Sequence, residues 1–247
     1  MSSVHRLLMG LVLLLVAVVG LAAVRDQDSP AVQATATATP SLATTTPEPT
    51  ATQPVPAQPA ENTTTDTLPE STGEFSYAPA TTETFGNPPH RRFVVGAEVG
   101  SGIDPTALAA FVDEVLGDPR SWIGDTVTGF ERVEPDASDV AFTLVVATPV
   151  TVDELCAPLE TKSTYSCGHN GWIALNLTRW NEASEGWPTD LDTYRHYLVN
   201  HEVGHYVVGP DHPDCPGAGS PAPIMMQQSV DLRGCQPNGW VYPDTSG

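Results

Sequence analysis

The hydrophobic pattern begins with an unbroken run. Leu7 to Val24 is 18 residues without a charge, preceded by His5 and Arg6. A run of that length just reaches across a bilayer and is long for a signal-peptide core. Residues 1–25 are therefore expected to be a transmembrane anchor or signal peptide, with the basic flank N-terminal and the remainder exported. Gly20, Ala22 and Ala23 offer a cleavage site without a clean A-x-A, so an uncleaved anchor is favoured. Residues 26–84 show no periodicity. They are a Thr/Pro/Ala tract with too few apolar side chains to offset the entropy of ordering, and read as a disordered stalk.

From Phe85 onward the pattern becomes that of a folded domain, residues 85–247. Arg92 to Val99 reads as a strand. Asp104-Pro105 opens a helix, an N-cap followed by Pro at the first helical position, with Leu108, Phe111, Val112, Val115 and Leu116 as its buried stripe and Gly117 as its end. Trp122 is expected in the core. Gly129–Val133 and Val140–Ala147 read as strands, the second alternating through Phe142, Leu144 and Val146. Val152–Leu159 fits a short helix and Gly171–Leu177 another strand, with His169 in a solvated loop before it. A last helix starts at the capping-box pattern Thr189-x-x-Asp192. Its stripe is Leu191, Tyr194, Leu198, His201, His205 and Val208, with His196 off it on the surface. The remainder, rich in Pro and Gly, shows little regular pattern.

Composition narrows the partners. The net charge is −20 with a single lysine, Lys162, which argues against nucleic acid and anionic lipid and for solubility. The four cysteines, Cys156, Cys167, Cys215 and Cys235, form no C-x-x-C pair. In an exported domain they are expected as disulfides. Three connectivities exist, and the sequence-local pairs Cys156–Cys167 and Cys215–Cys235 are favoured. Cys215, three positions past His212, is also weighed as a metal ligand.

The chemistry lies in the last helix. His201-Glu202-Val203-Gly204-His205 places two imidazoles about 6 Å apart along the axis and roughly 40° apart around it, so both can reach one metal ion. Glu202 is placed to touch a water on that ion without ligating it. This is the H-E-x-x-H arrangement in which two His bind Zn²⁺ and the Glu is general base. Both histidines continue the apolar stripe, a phase that a chance match has no reason to keep. Zinc needs a third protein ligand. Gly209 can end the helix and Pro210 cannot continue it, so the turn delivers Asp211 and His212. Downstream, Met225 and Met226 could floor the site, and Gln227, Gln228 and Asn238 are polar candidates near it.

The histidine helix, a following glycine, a third histidine and Met225 together resemble the metzincin zinc endopeptidases, with their H-E-x-x-H-x-x-G-x-x-H helix and Met-turn. More closely, the C-terminal two-thirds resembles an actinobacterial domain family of unknown function assigned to metzincin-like peptidases. The pieces carrying the likeness are Asp118-Pro-Arg-Ser-Trp122, Leu155-Cys156, Ser166-Cys167, Asn176-Leu-Thr-Arg-Trp180, Tyr194 to His205, Cys215 to Met225, and Gly234-Cys-Gln-Pro-Asn238. The resemblance implies an α+β, zincin-like fold, with a mixed twisted sheet, an active-site helix and a small irregular C-terminal subdomain. It also implies an extended substrate along an edge strand, for which Trp172–Leu177 is the candidate. One residue is inserted relative to the metzincin spacing, in Tyr206-Val-Val-Gly209. His212 is favoured as third ligand because the Gly-x-x-His unit stays intact. Asp211 occupies the ungapped position and is the alternative.

The reading that follows is an exported zinc metallopeptidase, monomeric and either single-pass in the cell membrane or secreted, acting on peptides or proteins. One Zn²⁺ is expected on His201, His205 and His212, with Glu202 as base and Met225 in the Met-turn. Its rival is a non-catalytic, zinc-containing extracellular binding module, with the metal closed by four protein groups.

Overall fold

The computed structural model describes residues 68–243 other than Thr126. The apolar run at 1–25 and the stalk as far as residue 67 lie outside the described residues. Among those described, no helix is long and apolar enough to cross a membrane. Cys156 pairs with Cys167 and Cys215 with Cys235, which fits an extracellular or secreted protein.

The fold is α+β around a seven-stranded mixed sheet. Its strands are β1 (Phe75–Tyr77), β2 (Thr84–Gly86), β3 (His90–Glu98), β4 (Gly129–Arg132), β5 (Val140–Ala147), β6 (Cys167–His169) and β7 (Trp172–Asn176). The order across the sheet is β2-β4-β3-β5-β7-β6. Parallel pairing runs β4-β3-β5-β7, and β2 and β6 close the two sides antiparallel. β1 pairs antiparallel with the last residues of β3, beyond the stretch of β3 that β4 occupies.

The central strands are covered on both faces, as parallel strands must be. On one face Phe142, Leu144 and Val146 of β5 join Phe93 and Val95 of β3 in the main core. Over them lie α1 (Pro105–Gly117) and α4 (Leu191–Val208), the latter preceded by the short α3 (Leu177–Glu182). On the other face Val145 and Ala147 pack with Val152 and the Cys156–Cys167 disulfide, under α2 (Pro149–Cys156). The expected alternation in β5 is present, but its second face is apolar and buried too.

α1 forms where the sequence places it, with the Asp104 side chain accepting from Thr106 N–H and Pro105 at the first turn. The start of α4 is displaced by one residue from the expected Thr189 cap. Asp190 is the N-cap, its carboxylate accepting from both Thr193 N–H and Thr193 Oγ1–H. A carboxylate accepts from two donors at once and also favours the helix N-terminus electrostatically.

The folded domain also begins earlier than Phe85. The cause is Glu98, at the end of β3 and 2 % exposed. Its carboxylate accepts from the Thr72 and Gly73 N–H groups, from Thr148 N–H and from the Thr151 hydroxyl. The segment before β1 is thereby tied to the start of α2, and Phe75 packs against Trp172 with ring centroids 5.9 Å apart. Composition alone assigns this segment to the stalk because its order depends on a partner 25 residues downstream.

Burial raises the Glu98 pKa, and the hydrogen bonds outweigh it, so the carboxyl sits below its ordinary value. A depressed acid contributes stability above its unfolded pKa, and that contribution is lost as pH falls through the folded value. Glu98→Gln turns an acceptor into a donor facing Thr148 N–H and is expected to cost about 2 kcal/mol at pH 7. Urea melts should show the gap between wild type and variant closing below about pH 4. A gap independent of pH would mean that packing, not the carboxylate, holds the segment.

Candidate metal centre

α4 is amphipathic by sequence but not by environment. From Tyr197 to Gly204 every residue is buried, whereas Val208, the end of the expected stripe, is exposed. The second covering comes from the described residues after α4, among which there is neither helix nor strand and only an isolated bridge between Pro221 and Gln236. Asn200 fixes the helix between the two coverings. Its Oδ1 accepts from the Ser121 hydroxyl at 2.6 Å, its backbone carbonyl from Trp122 Nε1–H at 2.9 Å, and its Nδ2 donates to the Gly239 carbonyl at 2.8 Å. Trp122 is thus the expected core anchor, and its indole N–H holds the helix one residue before His201.

The imidazoles of His201, His205 and His212 come together, with one ligand-capable atom from each lying within 4.8 Å of the others. Ring centroids are 4.9 Å (His201–His205), 5.3 Å (His201–His212) and 4.9 Å (His205–His212) apart. His201 Nδ1 meets the Ile224 carbonyl at 2.8 Å and His205 Nδ1 meets the Gly209 carbonyl at 3.2 Å. A carbonyl only accepts, so each Nδ1 carries the proton and each Nε2 is left bare. Burial, with the neighbouring histidines, pushes His201 down to about 3, and burial also lowers His205 and His212. At neutral pH the cluster therefore presents three neutral nitrogens.

Glu202 stands beside them. Its Oε2 lies 3.9 Å from His205 Nε2 and is buried without a hydrogen-bond partner, while the carboxylate takes the Gly168 N–H. Burial pushes its pKa up to about 8. Three uncharged donors and an orphaned carboxylate oxygen form a group of atoms that lacks a positive charge. A divalent cation bound through nitrogen suits that donor set.

Several expectations resolve here. The helix runs through the inserted residue to Val208, and Gly209 ends it at φ 98°. The turn then delivers His212 to the cluster, and exposed Asp211 is not part of it. Cys215 is held in its disulfide and is not a ligand. Met225 lies under the helix at Gly204, where an added Cβ would sit 2.2 Å from Met225 Sδ and 2.6 Å from the Trp122 ring. Gln228 and Asn238 do not face the cluster. Gln228 bonds the backbone of Asn238 in both directions, and Asn238 Nδ2 donates to the carbonyls of Ala222 and Trp240. They shape the turn that brings the Ile224 carbonyl to His201.

Three placements differ from expectation. β7 is interior, and the edge strand is β6, because the Cys156–Cys167 disulfide and the turn at Asn170-Gly171 fold Cys167–His169 back along it. Gly168 lets this edge approach α4, since a Cβ there would lie 2.3 Å from the Glu202 carbonyl. His169 is in that strand, not a solvated loop, and its Nε2 is buried without a partner. His196 is half-buried rather than exposed. Its ring packs against Phe111 and Trp240, with centroids 5.1 and 4.6 Å away.

A cavity of about 640 Å³ opens on the cluster. It runs from His201, Glu202, His205 and His212 to Tyr194, Tyr197, Gln227 and Ser229, with β6 along one side. Arg179 also lines it, a residue that the sequence singled out only as part of a family resemblance. A smaller cavity of about 350 Å³ lies beyond, lined by Tyr206 and Trp172 and sharing Gly168, His169, His205 and Pro210 with the first.

Residues 62–243, the sheet, the helices and the whole histidine site, match the family described as Protein of unknown function (DUF3152). The chain belongs to the DUF3152 family. No curated protein and no solved structure matches it.

The contact beneath α4 makes a prediction for this DUF3152 domain. Gly204→Ala forces a methyl into Met225 Sδ and the Trp122 ring, both buried, and is expected to destabilise by about 2 kcal/mol. Gly209→Ala strains a positive φ but meets open space, and should cost about 1 kcal/mol. Chemical denaturation of both variants checks the ranking. Equal costs would mean that the Met225 packing carries no weight.

Proposed function

We propose that this protein is an exported zinc-dependent peptidase of metzincin-like type, with His201, His205 and His212 as metal ligands and Glu202 as general base. The observation that supports it most is the pairing of three neutral, converging imidazoles with a buried, unpartnered Glu202 Oε2 beside an open cavity. His212 joining the cluster, Met225 packed on α4 at Gly204, and the antiparallel edge strand β6 support the same reading.

Zinc held by these nitrogens would act as a Lewis acid on a carbonyl oxygen and make water acidic near neutral pH. The chain's own part is positional and protolytic. The Nδ1 hydrogen bonds of His201 and His205 fix ring orientation and tautomer. Glu202, anchored through the Gly168 N–H, keeps Oε2 free to take a proton from the attacking water and pass it to the leaving amine. With its pKa pushed up to about 8, Glu202 is protonated at pH 7 in the protein alone, and beside a cation it would ionise. Tyr194, Tyr197 and Leu198 line the cavity beside this group.

A closed structural zinc site would need a fourth protein ligand. Cys215 is in a disulfide and Asp211 lies outside the cluster, which favours the catalytic reading over the structural one.

Metal analysis of the purified chain should find one zinc per molecule, lost in His201→Ala and His205→Ala. Peptide hydrolysis should vanish with a chelator and return with zinc. Glu202→Gln should keep the zinc and lower kcat by about 10²–10⁴-fold. Full activity in that variant, or a zinc-loaded wild type that cleaves no peptide of a diverse library, would refute the proposal.

A further inference from the structure

We propose that Arg179 forms a carboxylate-binding pole in the cavity, so that the site selects peptides carrying a carboxylate near the scissile bond. This rests on the peptidase reading and names its substrate class.

Arg179 is half-buried in the cavity wall. Its guanidinium is held by two neutral acceptors, Nε–H donating to the Thr164 carbonyl and Nη1–H to the Ala183 carbonyl, each at 3.1 Å. Ala183 adopts φ 64°, a conformation that L-residues rarely take, at the point where its carbonyl turns onto Nη1. The guanidinium is thus fixed before any ligand arrives. Carbonyls orient it without neutralising it, and an arginine cannot shed its proton. Among the described residues no carboxylate lies within 4.0 Å of it, and its Nη2 has no hydrogen-bond partner.

In a chain of net charge −20, a cavity-facing cation without a counter-ion is conspicuous. Arg132, by comparison, is neutralised by Asp113. Two hydroxyls accompany Arg179 in the cavity lining, Tyr194 and Ser229, whose oxygens lie 2.9 Å apart. The positive charge is felt at the Tyr194 hydroxyl, opposing the rise that burial causes there. Glu160, the acidic residue on the rim, is exposed and forms no ion pair with Arg179. One free guanidinium nitrogen and two hydroxyls match a carboxylate, supplied by an Asp or Glu side chain or by a peptide's own C-terminus.

The test uses the zinc-loaded full-length chain carrying Glu202→Gln, so that a bound peptide persists. The probes are fluorescent apolar peptides with one Glu or Gln moved along the sequence, each with a free or amidated C-terminus, read by anisotropy. A carboxylate form is expected to bind about tenfold more tightly or better than its neutral counterpart. The Glu/Gln and acid/amide pairs tell whether side chain or chain end is the source. Arg179→Met should erase the margin while neutral peptides bind within about twofold of before, and Arg179→Lys should return part of it. Equal binding of all probes, or a loss in Arg179→Met shared by acidic and neutral peptides, overturns the proposal. If Arg179→Met does not fold, the Arg179→Lys margin and the parent chain's own preference decide. Turnover by the wild-type chain is scored separately. Carboxylate-selective binding without cleavage rejects the peptidase and keeps the pole, and cleavage indifferent to carboxylates does the reverse.

Discussion

The hydrogen bond from His201 Nδ1 to the Ile224 carbonyl joins the regular part of the domain to the irregular part. It sets the tautomer of a buried histidine, and it requires the segment after α4 to be in one place. That segment has no helix or strand to hold it. Its order comes from the Cys215–Cys235 disulfide, from Gln228 and Asn238 bonding its own backbone, and from Tyr197 donating to the Met226 carbonyl. Side chains here do what a ladder of backbone bonds does elsewhere. The result is a helix buried on every side along the stretch that carries Asn200, His201 and Glu202.

How much of this was legible depended on the range of the interaction. Local signals were readable: the Asp104-Pro105 start of α1, the β5 alternation, the i, i+4 histidines and the Gly209 stop all act within a turn or two. The sequence-local disulfide pairing was favoured as well. Signals that depend on distant partners were not readable. Nothing near Phe75 announces a strand, because its order comes from Glu98 and the end of β3. β6 is three residues with a glycine at its centre, too short for a pattern, and it is an edge strand only because a disulfide and a turn fold it back. His196 reads as solvated since its cover, Trp240, comes from elsewhere in the chain. Arg179 stands in Asn176-Leu-Thr-Arg-Trp180, yet its orientation rests on the Thr164 and Ala183 carbonyls.

Charge is distributed on two scales. The net −20 is a property of the whole chain and bears on solubility and long-range repulsion, which salt screens over about 10 Å. Within the cavity the balance is different. The histidines are neutral, burial favours the protonated form of Glu202, and Arg179 keeps its charge. A ligand that enters leaves the screened exterior for a site where a few fixed groups dominate. An acidic surface and a carboxylate-seeking pocket are therefore compatible, and the overall charge does not foretell the preference inside.

Glu202 Oε2 is buried without a hydrogen-bond partner, and its surroundings have the means to relieve it. Gly168 brings a backbone N–H to the carboxylate only because it has no Cβ to strike the Glu202 carbonyl. That bond satisfies one oxygen and leaves the other bare. A glutamine at position 202 would remove the ionisation cost of burial, so stability alone does not explain a carboxylate there. The same oxygen sits 3.9 Å from His205 Nε2, where a cation or a transferred proton would compensate it. The site is thus biased in one direction only, toward acquiring positive charge.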